Sequence, residues 1–299
     1  MGQVPLRHLP RGLERVMDQT ALRDTMAALE AAMVSTPLDR PPTLIKGGVD
    51  LGTAYLVMVA LDADDRPLAA AYETADVVRD GVVTDFVGAI DVLRRLKAQV
   101  EDRLGVAVPG AHGAYPPGVD SGSVRAVRHV IESVGMECTG LVDEPSAANA
   151  VLRLRDGVVV DIGGGTTGVA VVQDGTVVHT ADEPTGGTHL SLVISGALKV
   201  SFEEAERLKK DPVEQPRLFP VIRPVMEKVA SIVSSSTRGW PTPKVYLVGG
   251  TAAFPGFADV VAAATGLDVV VPVAPLFVTP LGIARSAPAL EAGGAAGYP

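Results

Sequence analysis

Two acidic residues occupy matching positions in a repeated pattern, and each is followed closely by glycine and threonine. The first is Asp50 in VDLGT, and the second is Asp161 in VDIGGGTTG. Because glycine has no Cβ atom, a glycine-rich turn can bring its backbone N–H groups close to a phosphate. Mg²⁺ prefers oxygen ligands and keeps much of its water shell, so it needs few protein carboxylates. The pattern predicts a phosphate site with Mg²⁺ held near Asp50 and Asp161, largely through water.

A third acid and further glycines extend this predicted site. Glu144 precedes Pro145, which suits the first turn of a helix, so Glu144 is expected at a helix start that faces a cleft. There it could orient or deprotonate an attacking water, so Glu144, Asp161 and Asp50 form the predicted catalytic set. Backbone amides and hydroxyls are expected to hold the phosphates and nucleoside of a nucleotide. These residues are Gly52, Thr53, Gly163, Gly164, Gly165, Thr166, Thr167, Gly186, Gly187, Gly249, Gly250 and Thr251.

A glycine-rich hairpin without a ligand is the simpler interpretation of the second motif. A hairpin turn, however, does not require an acid, three glycines and two threonines. The glycines also lie between two apolar runs, Val158–Val160 and Val169–Val172, so they connect one strand to another. Rossmann and Walker loops open a helix instead, and this order therefore separates the motif from both of them.

The two acidic motifs belong to an internal duplication. Each copy reads apolar, Asp, apolar, Gly, then a strand, a turn and a returning strand; the second strands are Tyr55–Leu61 and the run ending at Val172. Two similar α/β lobes, each presenting one acid and one phosphate hairpin, imply a ligand held between them. Between the copies, the pattern predicts a helix over Phe86–Leu104 and a strand near Val106–Val108.

Four segments follow from these patterns. Residues 1–43 are predicted as an N-terminal helical extension, 44–156 as lobe I, 157–287 as lobe II and 288–299 as a flexible tail. Two arrangements are open for the last helix, near 280–287: it packs within lobe II or it packs back on lobe I. Two interpretations of the extension remain open. One is a docking or targeting helix, and the other is a helix packed on its own domain or a partly disordered tail.

Composition narrows the classes of partner and compartment. The 299 residues carry a net charge of −9 without a basic cluster, which argues against nucleic acid as a partner. Cys138 is the single cysteine, so an internal disulfide is excluded and a reducing cytoplasm is expected. The sequence has neither a signal-peptide pattern nor an apolar run of about 18 residues, so no membrane span is expected.

The ordered motifs resemble those of the actin-like ATPase superfamily, which includes actin, sugar kinases and DnaK-type chaperones. GVDLGT and DIGGGTTG look like its two phosphate motifs, DEPSAAN like its second connecting motif and LVGGTAAFPG like its adenosine motif. AERLK resembles a helix that contacts ribose and adenine in bacterial relatives, which would give those contacts to Glu206 and Lys209. A solvated helix face is the alternative for this pair. The resemblance implies duplicated ribonuclease H-like lobes with a nucleotide cleft between them, and ATP or ADP with Mg²⁺ as cofactors.

Within that superfamily, the sequence is most similar to the EutJ family of ethanolamine utilisation. The matching stretches are ADVVRDGVV-DF, YPPG, ADEPTGG, EEAE and LFVTPLGIA. EutJ-type proteins are regarded as chaperonin-like and occur with microcompartment enzymes that metabolise ethanolamine. The resemblance therefore implies a cytoplasmic protein associated with a microcompartment, and a protein partner that metabolises ethanolamine or belongs to the microcompartment. No peptide-clamping domain of the DnaK type is expected after Ala287.

Three activities fit these motifs. The first is a slow Mg-dependent ATPase whose lobes open and close and transmit the nucleotide state to a partner. The second is a nucleotide-binding scaffold without useful hydrolysis, because the lysine that DnaK-type proteins place beside the γ-phosphate has no clear counterpart between Asp76 and Leu104. The third is an actin-like protein that forms filaments. The sequence leaves the oligomeric state and the rate of ATP hydrolysis open.

Overall fold

The computed structural model describes residues 19–34 and 36–294, which form an α/β structure built on two mixed sheets. The helices are α1 (Gln19–Ala31), α2 (Phe86–Leu104), α3 (Ser121–Glu132), α4 (Glu144–Leu152), α5 (Gly187–Leu198), α6 (Phe202–Lys210), α7 (Gln215–Ser236), α8 (Phe257–Thr265) and α9 (Val278–Ser286). The strands are β1 (Leu44–Leu51), β2 (Tyr55–Leu61), β3 (Pro67–Thr74), β4 (Val78–Arg79), β5 (Val82–Val83), β6 (Gly110–Tyr115), β7 (Glu137–Asp143), β8 (Gly157–Ile162), β9 (Thr167–Gln173), β10 (Thr176–Glu183), β11 (Lys244–Val248), β12 (Asp268–Val270) and β13 (Leu290–Glu291). Short 3₁₀ turns cover Gly250–Ala253 and Pro275–Phe277.

The two sheets repeat one topology. The first has the order β3-β2-β1-β6-β7, with β13 paired to β1, and the second has the order β10-β9-β8-β11-β12. In both strand orders the first three strands are antiparallel and the next two pairs are parallel, and β13 adds an antiparallel pair to β1. The duplication predicted from the two acidic motifs is therefore a duplication of the whole lobe.

The central strand of each sheet is buried because helices cover both of its faces. Strand β8 reads GVVVDI and all six of its residues are buried, as expected for a strand enclosed on two sides. Helices α2 and α3 contribute to the core on one face of the first sheet, and α5 to α8 do so for the second. Between the sheets, α1, α4 and α9 share a third apolar core with strands of both lobes.

Helix α9 returns from the second sheet and packs against α4 and β1. The backbone of α9 lies so close to α4 and to β1 that each contact occurs at a glycine, which has no Cβ atom. A Cβ atom on Gly282 would lie 1.8 Å from the carbonyl oxygen of Ala147, and one on Gly48 would lie 2.5 Å from the backbone nitrogen of Ala284. The C-terminal helix thus links the lobes at their base. The lobe boundaries at 44–156 and 157–287 remain predictions.

The position of one predicted strand is wrong, and part of the predicted flexible tail makes backbone hydrogen bonds to the first lobe. The strand expected near Val106–Val108 lies at β6, whose sequence GAHGAY has few strand-forming residues. Small residues are required there because a Cβ on Gly113 would lie within 3 Å of the side chains of Val127, Ile131 and Leu141. In the predicted flexible tail, Leu290 and Glu291 pair with β1, and Gly293 N–H donates to the carbonyl of Ala107.

The predicted extension, 1–43, lies partly outside the described residues, because residues 1–18 and residue 35 are not described. Within it, α1 buries Leu22, Met26 and Leu29 in the core between the sheets. The backbone N–H of Ala70 on β3 donates to the carbonyl of Ala32, just after this helix. For its described part, the extension is a helix packed on its own domain.

Candidate functional site

The three predicted acids meet in a cleft of about 340 Å³ between the lobes. Asp50 is near the end of β1 and Asp161 is near the end of β8, the equivalent strand of the other sheet. Glu144 is the first residue of α4, and the Asp143 carboxylate caps that helix by accepting a 2.9 Å hydrogen bond from the Ser146 backbone N–H. The helix start expected at Glu144 is confirmed.

These acids are buried close to one another, which makes their negative charge unfavourable. Burial, together with the charge of Asp161, raises the pKa of Asp50 to about 7. Burial raises the pKa of Asp161 to about 6, although the Thr279 hydroxyl donates a hydrogen bond that opposes this increase. Burial and then the charges of Asp161 and Asp50 raise the pKa of Glu144 well above its usual value. The site therefore favours a bound positive charge at neutral pH.

The second glycine motif forms a tight turn that neighbouring elements hold from outside. Gly163 N–H donates to the Thr166 carbonyl at 3.0 Å. The Gly163 carbonyl in turn accepts from Gly187 N–H, at the start of α5, and from the Thr251 hydroxyl, at 2.9 and 2.8 Å. Gly249 follows β11 at φ 84°, and a Cβ there would lie 2.4 Å from a carboxylate oxygen of Asp161. These contacts bring the separate glycine motifs into one wall.

The pair on α6 is part of the same wall. The Lys209 ammonium donates to the Gly187 carbonyl at 3.0 Å, to the Ser191 hydroxyl at 2.8 Å and to the Glu206 carboxylate. Ser191 also donates to Glu206. Burial acts to raise the pKa of Glu206, but the Lys209 charge and these hydrogen bonds outweigh it, so the pKa is lowered. Glu206 and Lys209 are thus fixed parts of the cleft and not only a solvated helix face.

Most of the predicted nucleotide-contacting residues line the cleft, and two do not. Those that do are Gly52, Thr53, Gly163, Gly164, Gly165, Thr166, Gly187, Glu206, Lys209, Gly249, Gly250 and Thr251. Thr167 is fully buried and its hydroxyl donates to the Thr185 carbonyl at 2.6 Å, so its side chain does not line the cleft. Gly186 lies behind the turn, where a Cβ would be 2.7 Å from the Gly163 and Gly164 carbonyls. In this position Gly186 supports the turn from behind, and its contact with a nucleotide stays a prediction.

Several residues that the fold brings close to the acids carry no recognisable signal in the sequence. Tyr55 and Lys210 line the cleft, and Thr279 donates to Asp161. Asp182 has a buried carboxylate oxygen without a hydrogen-bond partner, and burial raises its pKa to about 6. Thr279 and Asp182 occur in LFVTPLGIA and ADEPTGG, which were noted as family stretches without a chemical role. Only the folded contacts reveal that role.

The donors present suit a hydrated Mg²⁺ better than a metal held entirely by protein. Among the described residues, no group of three or more His, Cys, Asp or Glu side chains forms a metal-binding cluster. Asp50 and Asp161 nevertheless interact electrostatically inside the cleft, and their raised pKa values indicate uncompensated negative charge. A cation that keeps waters and binds phosphate oxygens would compensate this charge with few protein ligands.

This arrangement of two repeated lobes around a cleft defines the actin-like ATPase fold. Models of the families FtsA (cell division protein) and MreB/Mbl match residues 158–282 and 71–210, respectively. The crystal structure of MreB 5 of Spiroplasma citri bound to AMPPNP has a TM-score of 0.66, with 18% identity, 82% of this chain covered and 95% of that chain. At this identity, the likeness establishes the fold alone, and it confirms the predicted fold class.

More similar relatives identify one family within that class. The chain is 42% identical to the ethanolamine utilization protein EutJ of Escherichia coli strain K12 over 240 residues, which are 80% of this chain and 84% of the relative. The crystal structure of EutJ from Carboxydothermus hydrogenoformans has 46% identity and a TM-score of 0.84, covering 90% of this chain and 99% of that chain. The chain belongs to the EutJ family of ethanolamine utilisation proteins. No helix in its described residues has the length and apolar character to cross a bilayer.

Proposed function

We propose that this EutJ-family chain binds ATP with Mg²⁺, hydrolyses it slowly, and transmits its nucleotide state to a protein partner in ethanolamine utilisation. The observation that carries the proposal is the meeting of Asp50, Glu144 and Asp161 in one cleft with glycine turns from both lobes. Glycine turns suit phosphate, and buried acids with raised pKa values suit a cation and a proton acceptor. The nucleotide bound in MreB 5, a protein of the same fold, is consistent with this ligand.

Residue roles follow from this geometry. Mg²⁺ would supply charge compensation for the phosphates, with Asp50 and Asp161 beside it. Glu144 would orient the attacking water and accept its proton, because it begins α4 and lines the cleft beside Asp50 and Asp161. Glu206 and Lys209 would contact the nucleoside, as the resemblance of AERLK to the adenosine-contacting helix suggests.

Slow hydrolysis is proposed because the cleft has little free positive charge. Among the described residues that line it, Lys209 and Lys210 are the only lysines or arginines. The Lys209 ammonium already donates to three protein oxygens, and Lys210 lies over the ring of Tyr55. Stabilising the charge on a transferring phosphoryl group usually requires cations aimed at it. This shortage also supports the second candidate, a nucleotide-binding scaffold without useful hydrolysis.

Calorimetric titration and turnover assays test the ligand and the reaction separately. The purified chain is titrated with ATP and ADP, with and without Mg²⁺, and phosphate release is then followed at saturating MgATP. Binding strengthened by Mg²⁺ with turnover above the protein-free background supports the ATPase. Binding without turnover, in the presence and absence of the ethanolamine enzymes, supports the scaffold. Failure to bind either nucleotide contradicts both.

The partner is proposed to be an enzyme of ethanolamine metabolism or a protein of its microcompartment, in the cytoplasm. The support is family membership, since the name of the relatives refers to ethanolamine utilisation. Pull-downs from cells grown on ethanolamine, in parallel with ATP and with ADP, test it. A partner of either kind retained with one nucleotide and released with the other is expected. Equal recovery with both nucleotides contradicts transmission of the nucleotide state, and nucleotide-dependent pelleting of the chain alone would instead indicate filaments.

A further inference from the structure

One side-chain contact joins the two lobes across the cleft. Tyr55 is the first residue of β2 in lobe I, and Lys210 is the last residue of α6 in lobe II. The Lys210 ammonium lies 4.9 Å from the centre of the Tyr55 ring, a distance at which a cation is attracted to the face of an aromatic ring. Both residues line the cleft. Separation of the lobes at this point must break the contact.

Each partner is held by neighbouring side chains, Tyr55 by a series of rings that extends to Phe277 of lobe II, and Lys210 by Glu206. The ring of Tyr55 packs edge-on against Tyr72, with 6.0 Å between ring centres, and Tyr72 packs in the same way against Phe277 at 5.6 Å. On the other side, the Lys210 ammonium lies 3.5 Å from a Glu206 carboxylate oxygen. The contact is therefore formed by two supported side chains and not by two free ones.

The contact is also reversible and close to the ligand. The Lys210 side chain is 46% exposed, so water competes for its charge and the attraction is moderate. Glu206, which helps to hold Lys210, is itself placed in the cleft by Lys209 and Ser191. A ligand that contacts Glu206 therefore acts on the same carboxylate that positions the Lys210 ammonium.

The volume of the cleft and the position of Tyr55 indicate which ligand the contact between Lys210 and Tyr55 would affect. The cleft of about 340 Å³ lies at the lower end of the usual range for small-molecule sites. Tyr55 also follows directly after Gly52, Thr53 and Ala54, the phosphate turn of lobe I. The contact between Lys210 and Tyr55 therefore lies beside the turn at which lobe I would hold phosphate.

We propose that Lys210 and Tyr55 form a latch that closes the cleft over a bound nucleotide and slows its release. The latch rests on the proposed nucleotide site and adds a specific function to two residues outside the acid cluster. Its effect is on the exchange rate, because the contact is made between the lobes and is lost when they separate. The phosphate turns and the acids remain intact when it is removed.

Release of a fluorescent ADP analogue, N-methylanthraniloyl-ADP, measures the latch directly. The protein is loaded with the analogue and Mg²⁺, mixed rapidly with excess ATP, and the decrease in fluorescence is recorded. Lys210→Gln and Tyr55→Leu are each expected to release the analogue about 3- to 10-fold faster, as loss of a moderate cation–ring contact implies. The double variant is expected to release it no faster than the faster single variant, because both changes remove one interaction.

The control is Lys228→Gln, which removes the same charge from an exposed position on α7 in lobe II. It should release the analogue at the wild-type rate. Wild-type release from both Lys210→Gln and Tyr55→Leu overturns the latch while the nucleotide site stands, and additive effects in the double variant overturn the pairing. A wild-type protein that binds no analogue overturns the proposed function and the latch together. Lys210→Gln leaves the core unchanged, so it remains informative if Tyr55→Leu impairs folding.

Discussion

At the level of residues, three carboxylates in the cleft lower the stability of the folded chain when no ligand is bound. Asp50, Asp161 and Glu144 all have raised pKa values, because burial and mutual repulsion disfavour their charged forms. A protein interior does not gain stability from such a group of like charges. Their presence together, between two glycine turns, is what the proposed binding of a cation and phosphate would compensate.

Glu144→Gln tests whether this acid takes part in hydrolysis. The amide keeps the shape of the side chain but cannot accept a proton, so turnover is expected to fall by about 10²- to 10⁴-fold. The affinity for MgATP should change by less than about threefold, because the phosphate turns are intact. Phosphate release and calorimetric titration measure the two effects. Glu137→Gln, at an exposed position on β7, is the matched control, and equal turnover in both variants would exclude Glu144 as the base.

Stability without nucleotide should fall as pH rises from about 4 to about 7. In the unfolded chain these carboxyl groups lose their protons near pH 4, whereas folding raises the pKa of Asp161 to about 6 and that of Asp50 to about 7. In this window the folded state binds more protons than the unfolded chain, so a higher pH favours unfolding. Urea denaturation across the window measures it.

An Asp50→Asn variant isolates this effect from the rest of the titration. It lacks the repulsion with Asp161, so its free energy of unfolding should depend less on pH than that of the wild type. At pH 7 the nucleotide-free variant should also be the more stable of the two. A pH dependence identical to the wild type would show that Asp50 is not protonated in the folded chain.

At the level of elements, the crossing of α4 and α9 holds the base of the two lobes together. Both helices contribute to the core between the sheets, and their backbones approach at Gly282. Nothing in the periodicity of LFVTPLGIA indicates this contact, since the glycine there is compatible with an ordinary helix interior. The contact also positions Thr279, on α9, to donate to Asp161. Packing and site geometry therefore depend on one helix crossing.

Gly282→Ala is expected to destabilise the protein by about 2–4 kcal/mol. The new methyl group would lie 1.8 Å from the Ala147 carbonyl oxygen, so the helices must separate. Chemical denaturation measures the change. Gly196→Ala on α5 is the matched control, because no atom lies within 4 Å of its added Cβ. Alanine favours a helix, so the control should gain about 0.5–1 kcal/mol. Equal stability of both variants would show that the crossing tolerates a wider spacing.

On the scale of the whole molecule, the lobes meet at their phosphate turns. A Cβ atom on Gly164 of lobe II would lie 2.9 Å from the Cβ of Ala54 and 3.0 Å from its backbone nitrogen in lobe I. The two turns thus approach each other as closely as their backbones permit. That approach fixes the distance over which phosphate groups would be held from both sides.

Gly164→Ala is expected to weaken MgATP binding by at least about tenfold with a smaller effect on unfolding. The methyl group forces the turns apart by a few tenths of an ångström, which loosens phosphate contacts made from opposite lobes. Calorimetry and thermal denaturation separate affinity from stability. Gly196→Ala again provides the control with the same added atom. Unchanged affinity would indicate that the turns do not act on the ligand together.

Local motifs determined much of this structure in advance. The acid and glycine pattern repeats near Asp50 and Asp161 because each copy forms the same strand, turn and strand. Such requirements involve only neighbouring residues, so they can be predicted from one sequence. Pro145 marked the start of α4 for the same reason. Strand β6 was missed because its glycines and alanines are selected by the side chains packed on them, and these come from distant parts of the chain.

The sequence by itself determined that two acidic phosphate motifs recur in an α/β chain of the actin-like superfamily. Only the tertiary structure decided which residues share the cleft. It buried the side chain of Thr167 away from the cleft and brought Thr279, Tyr55 and Lys210 to it. The physical reason is that strand and turn preferences act over a few residues, whereas contacts across the cleft depend on how two lobes and the returning helix α9 pack together.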